Sequence, residues 1–212
     1  MTPHDKFTAA LQTIPLLAIL RGLSPAEALP IGLAITATDW RLIEVPLNSP
    51  QALQSIETMA AALPQALVGA GTVLSAGDVR NVHAAGGQLV VSPNFNAEVV
   101  REALRLGMVC LPGVATATEA FAALQAGATG LKLFPAEMIT PAVIKALRAV
   151  LPADTRLLPV GGISCENMGA YLRAGANGFG IGSALYKPDR TASDVSENAI
   201  KFIAAYRGTI RA

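Results

Sequence analysis

Eight times along the chain, a short apolar run rich in Leu, Ile and Val is followed by a turn and then by a segment of helical period. The runs are "LLAIL" (16–20), "RLIEV" (41–45), "ALVGA" (66–70), "QLVVS" (88–92), "MVCLP" (108–112), "GLKLF" (130–134), "RLLPV" (156–160) and "NGFGI" (177–181). Apolar runs of this length, bounded by turn residues, read as buried strands. Between them, "SPAEALPIGLAITA", "AEVVREALRLG", "TATEAFAALQAG" and "PAVIKALRAVL" read as helices, several opening with Ser, Thr or Pro and closing near Gly. "AGATGLKLF" (126–134) and "AGANGFGIG" (174–182) repeat one helix end, glycine and strand entry. Strands separated by single helices pair in parallel through right-handed crossovers, so the pattern predicts an α/β fold, a (β/α)8 TIM barrel. A doubly wound open sheet is the alternative, because periodicity does not reveal closure.

The 212 residues are 52% hydrophobic and 15% charged, which suits one large core. No linker, charge run or low-complexity segment divides the chain. The expectation is a single domain over 1–212, with an N-terminal helix over 1–14 and the barrel over 15–212. A net charge of +1 offers no global field for nucleic acid or an anionic membrane, and the scattered aromatics form no base-stacking platform. No apolar run reaches the roughly 18 to 20 residues of a membrane span, and the N-terminus carries no cleavage signature; a soluble, cytoplasmic protein is expected. Cys110 and Cys165 have no metal or redox spacing and read as ordinary thiols. His4 and His83 stand at no strand end, and no His/Asp/Glu cluster has metal spacing, so neither a metal nor another cofactor is expected.

In such barrels the working groups lie at the C-terminal strand ends and in the loops beyond. The polar residues there are Arg21, Glu44, Thr72, Ser92, Asn94, Lys132, the Gly161-Gly162 pair and Gly182-Ser183. Lys132 and Glu44 interrupt strongly apolar strands. They read either as a buried ion pair, or as a register that turns one of them outward, or as a working pair. In the last case burial keeps the lysine amine neutral, so that it attacks a carbonyl, and the glutamate moves protons. An imine on the lysine then accepts the electrons of the neighbouring bond, which makes or breaks carbon–carbon bonds without a metal. "PVGGIS" and "GIGSAL" each place flexible backbone just before a helix, where exposed N–H groups suit a phosphate. The fork of Arg21 fits a carboxylate and equally a surface ion pair. Thr72 reads as a site hydroxyl or a helix cap.

The ordered series "EVPLNSP", "VGAGTVL", "VSPNFN", "LPGVATATEAF", "LKLFPAE", "PVGGIS" and "GIGSALY" resembles the class I aldolases that cleave 2-keto-3-deoxy-6-phospho sugar acids, over nearly the whole chain. The resemblance implies that Lys132 forms the imine and that Glu44 is the acid/base. It implies further that Thr72, Pro93 and Phe134 line the pyruvate half and that Gly161, Gly162 and Ser183, with Gly182 beside it, hold the phosphate. Gluconate-type members carry an arginine after the second strand, where this chain has Asn48, and a threonine where it has Val160. Here the arginine comes after the first strand, as Arg21, in the galactonate manner, and is the expected carboxylate clamp. The expected reaction is reversible cleavage of 2-dehydro-3-deoxy-6-phospho-D-galactonate to pyruvate and D-glyceraldehyde 3-phosphate by a homotrimer. A gluconate-type or dual-epimer aldolase is the near alternative, and a non-catalytic phosphosugar-binding barrel the distant one.

Overall fold

Parallel strands alternating with helices make up the computed structural model, which describes residues 1–211; the last residue of the expected domain lies outside it. The strands are β1 (Leu16–Ile19), β2 (Leu42–Pro46), β3 (Leu67–Gly71), β4 (Leu89–Val91), β5 (Val109–Leu111), β6 (Gly113–Val114), β7 (Leu131–Leu133), β8 (Leu157–Pro159) and β9 (Phe179–Ile181). The helices are α1 (Pro3–Thr13), α2 (Pro25–Thr36), α3 (Ala52–Ala62), α4 (Ala76–Ala84), α5 (Ala97–Arg105), α6 (Ala117–Gln125), α7 (Pro141–Arg148), α8 (Met168–Arg173) and α9 (Ala192–Arg211). Nine strands appear in place of eight because a two-residue strand, β6, follows the fifth run, set off from β5 by Pro112, which has no N–H for a ladder.

The strands form one sheet in the order β5-β4-β3-β2-β1-β9 and another in the order β6-β7-β8. A parallel bridge between Val160 and Gly180 joins β8 to β9, and Pro112 is the one residue between β5 and β6. Alternate strand residues serve two apolar clusters, as expected for parallel strands covered on both faces. Leu16, Ala18, Ile43, Val68, Val90, Leu131 and Leu157 pack with the helices. Leu17, Ile19, Leu42, Leu67, Leu89, Val91, Val109, Leu111, Leu158 and Val160 form the other cluster, which Phe7 and Ala10 of α1 join.

Local chemistry explains the helix starts. Thr116 and Glu119 exchange hydrogen bonds at the head of α6, and Ser75 and Asp78 do so at α4, satisfying N–H groups that the first turn leaves unpaired. The repeated helix ends at Gly127 and Gly175 carry φ of 96° and 107°, a left-handed turn that glycine makes without a Cβ penalty. At the other end of the strands, α1 is tied down by Lys6, whose ammonium donates to Gln88 Oε1 at 2.9 Å beside the entry to β4. No helix among the described residues is long and apolar enough to cross a membrane.

Candidate active site

The register decides which way the two interrupting charges point. Glu44 stands level with Ile19 and Gly69, and Lys132 with Gly113 and Leu158. Ile19 and Leu158 belong to the inner cluster, so both charged residues share the face that those apolar side chains line. Glu44 is 1% exposed and Lys132 7%. The ion pairs among the described residues are Arg41–Asp39, Arg80–Glu102 and Arg105–Glu102, so Lys132 and Glu44 are buried without pairing. Both the outward register and the paired salt bridge are thereby removed.

Burial pushes the Lys132 ammonium below its ordinary pKa; nearby Glu44 opposes the shift and Arg21 adds to it. Burial raises the Glu44 carboxyl to about 7, against the attraction of Lys132 and Arg21. Each group thus moves towards its neutral form, which suits an amine nucleophile beside a carboxyl that exchanges protons near neutral pH. Glu44 Oε2 is enclosed and accepts no hydrogen bond from the protein. An orphaned carboxylate oxygen in a core costs free energy unless it is protonated or meets a donor. The Lys132 Nζ lies 4.8 Å from the centre of the Phe134 ring, where the face of the ring attracts a cation.

The carboxylate fits because β3 ends in glycine. A Cβ on Gly71 would fall in the space of Glu44 Oε2. The next residue, Thr72, has φ of 57°, an uncommon conformation for a β-branched side chain and one that costs on the order of 1 to 3 kcal/mol. Ser92 holds the following turn: its hydroxyl donates to the Val73 carbonyl at 2.7 Å. Its role is therefore structural. Pro93 is half-buried beyond β4, and its carbonyl packs where a side chain on Gly113 would stand. Asn94 is exposed.

Arg21 is exposed after β1 and donates to Asn48 Oδ1 at 3.2 Å, so the guanidinium reaches the loop after β2. Ser49, which sequence reasoning passed over, secures this arrangement by accepting the Gly22 N–H at 2.9 Å. Arg21, Val160, Gly161, Gly162, Gly182 and Ser183 line one cavity of about 330 Å3. Gly161 and Gly162 have φ of 109° and 61°, left-handed conformations that favour glycine, and lie against the Glu137 side chain, which a Cβ on Gly161 would overlap. Among the described residues, the loop hydrogen bonds include none donated by the N–H groups of Gly162, Ser183 and Ala184. Free N–H groups beside a guanidinium make a site for a small anion. A larger groove of about 490 Å3 lies between the β2–α3 turn and α4, away from the perturbed pair.

His4 and His83 lie on α1 and α4, and no cluster of three or more His, Cys, Asp or Glu among the described residues is arranged to hold a metal. Cys110 is buried, its thiol pushed up to about 12 by desolvation, and Cys165 is also unpaired.

The family model for KDPG and KHG aldolase matches residues 7–201. A probable 2-dehydro-3-deoxy-6-phosphogalactonate aldolase of Rhizobium meliloti (strain 1021) is 50% identical over 193 residues, covering 91% of each chain. The 2-dehydro-3-deoxy-6-phosphogalactonate aldolase of Escherichia coli (strain K12) is 45% identical over 199 residues, or 93% of this chain and 97% of that one. Among solved structures, one described as native KDPGal superposes with a TM-score of 0.92 at 45% identity, over 94% and 97% of the two chains. A cube-shaped cage designed by fusing symmetric oligomeric domains matches with a TM-score of 0.91 at 45% identity, over 93% of this chain and 74% of the other.

Proposed function

This chain belongs to the KDPG and KHG aldolase family, and from that premise we propose that it is a class I aldolase acting on 2-dehydro-3-deoxy-6-phosphogalactonate. The observation that carries the reading is the buried, unpaired Lys132 on the same inner side of the strands as Glu44. Neutral Lys132 adds to the C2 carbonyl, and Glu44 in its acid form protonates the departing hydroxyl, leaving an iminium ion. Glu44, now a carboxylate, accepts the proton of the C4 hydroxyl directly or through water. The C3–C4 bond then breaks, its electron pair passes into the iminium, and D-glyceraldehyde 3-phosphate leaves. The remaining enamine is protonated at C3, and water releases pyruvate and the free lysine.

Thr72, Pro93 and Phe134 line the pyruvate half in this reading, with Arg21 clamping the carboxylate. The turns at Gly161-Gly162 and Gly182-Ser183 take the phosphate, supported by the free N–H groups of Gly162 and Ser183 and by the shared cavity. Val160, apolar and buried near C4, favours the galactonate epimer over the gluconate one; a site without a hydroxyl there discriminates modestly, so some cleavage of the other epimer is expected. We also propose that residues 1–212 form one domain, a closed (β/α)8 barrel with an additional N-terminal helix. The Val160–Gly180 bridge supports closure at one seam and the single-residue gap at Pro112 at the other. A cytoplasmic homotrimer completes the proposal; the likeness to a domain used in a symmetric cage supports an oligomer.

Borohydride reduction with pyruvate, read by mass spectrometry, tests the chemistry: an adduct is expected on Lys132. Lys132→Ala should abolish both adduct and turnover, whereas Glu44→Gln should slow turnover and leave some trapping. An unmodified Lys132 in the native protein would favour a phosphosugar-binding barrel instead. Rates on the two purified epimers test the substrate, and a strong preference for the gluconate form would overturn the assignment.

A further inference from the structure

Tyr186 has no part in the chemistry above, yet it is a phenol only 2% exposed. Its hydroxyl donates to Glu27 Oε1 at 3.1 Å, across 159 positions of sequence. The other carboxylate oxygen of Glu27, Oε2, accepts from the Ser24 N–H at 3.1 Å and from the Ser24 hydroxyl at 2.5 Å. Ser24 follows Arg21 by three residues, and Tyr186 follows Ser183 by three. The bond therefore ties the loop that carries the guanidinium to the loop that carries the second glycine turn. The two loops touch again where a Cβ on Gly22 would stand 2.8 Å from Pro188 Cγ.

We propose that the Tyr186–Glu27 hydrogen bond is a positioning device: it sets the separation of the two loops that grip the anionic ends of the substrate. This rests on the aldolase reading above. The whole phosphorylated sugar acid spans both loops, with its carboxylate at Arg21 and its phosphate at Gly182-Ser183, whereas pyruvate reaches only the first. Loosening the tie thus weakens the long ligand and spares the short one. Each loop keeps its own anchor without the tie: Ser49 accepts the Gly22 N–H on one side, and Asn198 donates to the Leu185 carbonyl at 3.3 Å on the other. Removal of one hydroxyl should accordingly leave the fold in place.

The test compares Tyr186→Phe with the native full-length protein in three measurements. These are kcat and KM for cleavage of 2-dehydro-3-deoxy-6-phosphogalactonate, the pyruvate concentration that half-saturates borohydride trapping at Lys132, and the melting temperature. KM for the phosphorylated substrate should rise about three- to tenfold, the range that one hydrogen bond is worth. The trapping midpoint and kcat should stay within about twofold, the pattern of an interaction lost equally from ground and transition states. An unchanged KM in a native enzyme that does cleave the substrate overturns the positioning role alone. A parallel rise in KM and trapping midpoint, with a fall in melting temperature, also overturns it, because that marks a purely structural bond. A native enzyme that neither forms the adduct nor cleaves overturns the underlying reading and the proposal together.

Discussion

An ionisable side chain with no partner in an apolar core is costly, and the strand patterns already singled out Lys132 and Glu44 on that ground. What the chain order could not show was that Arg21 meets Asn48, or that Ser92 is occupied with the Val73 carbonyl, because both depend on loops 19 to 27 positions apart coming together. Glu44 makes a prediction with a definite sign. Its carboxyl, ordinarily near 4.5, is raised to about 7 by burial, so between those values the folded protein keeps a proton that the unfolded chain has released. Stability is therefore fully supported below about pH 4.5, is lost as pH rises through about 7, and stays lost above it. Glu44→Gln, neutral throughout, should be more stable than the native protein at pH 9, by on the order of a few kcal/mol, and nearly equal to it at pH 4. Denaturant unfolding at the two pH values checks this, and a difference that does not change with pH would refute it. The native kcat/KM should fall as pH rises through about 7, because the free enzyme enters the cycle with Glu44 in its acid form, a limb that the residual activity of Glu44→Gln should lack.

Strands and helices were legible because period and punctuation survive in the chain itself. The eight apolar runs each contain a strand to within about two residues, and "TATEAF" announces its helix through a capping box that forms as written. The short β6 was not legible because two residues, Gly113 and Val114, directly after Pro112 are too few to show a period. Gly71 was missed for a different reason. In "VGAGT" it reads as a flexible strand end, whereas its smallness serves a carboxylate arriving from β2, whose Pro46 stands level with it. Gly71→Ala should therefore injure the site more than the fold. Overpacking costs about 1 to 3 kcal/mol, while a displaced proton-transfer group lowers kcat by about 100-fold. Kinetics beside thermal unfolding would check the expected split, and a native kcat in Gly71→Ala would show that Glu44 does not need that space.

The molecule as a whole separates its chemistry from its closure. Lys132 and Glu44 stand midway along β7 and β2 and the glycine turns follow β8 and β9 at their C-terminal ends, while α1 packs Phe7 and Ala10 into the inner cluster near the strand entries, where Lys6 reaches the Ala66 carbonyl and Gln88. The sequence announced an additional helix but not where it would dock, since an amphipathic segment records that it has an apolar face and not which surface that face meets. Docking across the strand entries makes α1 a cover for the inner cluster, with Phe7 2% exposed. Truncating it should leave a cavity among Leu17, Leu42, Leu67 and Val109, and a buried Phe→Ala change of this kind costs about 3 to 5 kcal/mol. Conservation of the strand register up to the site then predicts that Phe7→Ala lowers the melting temperature while kcat, measured well below the transition, stays within about twofold of native. Thermal unfolding with kinetics at a low temperature decides it: a kcat that falls along with stability would mean that the inner cluster transmits the loss to Lys132 and Glu44, and that the two ends of the strands are not independent.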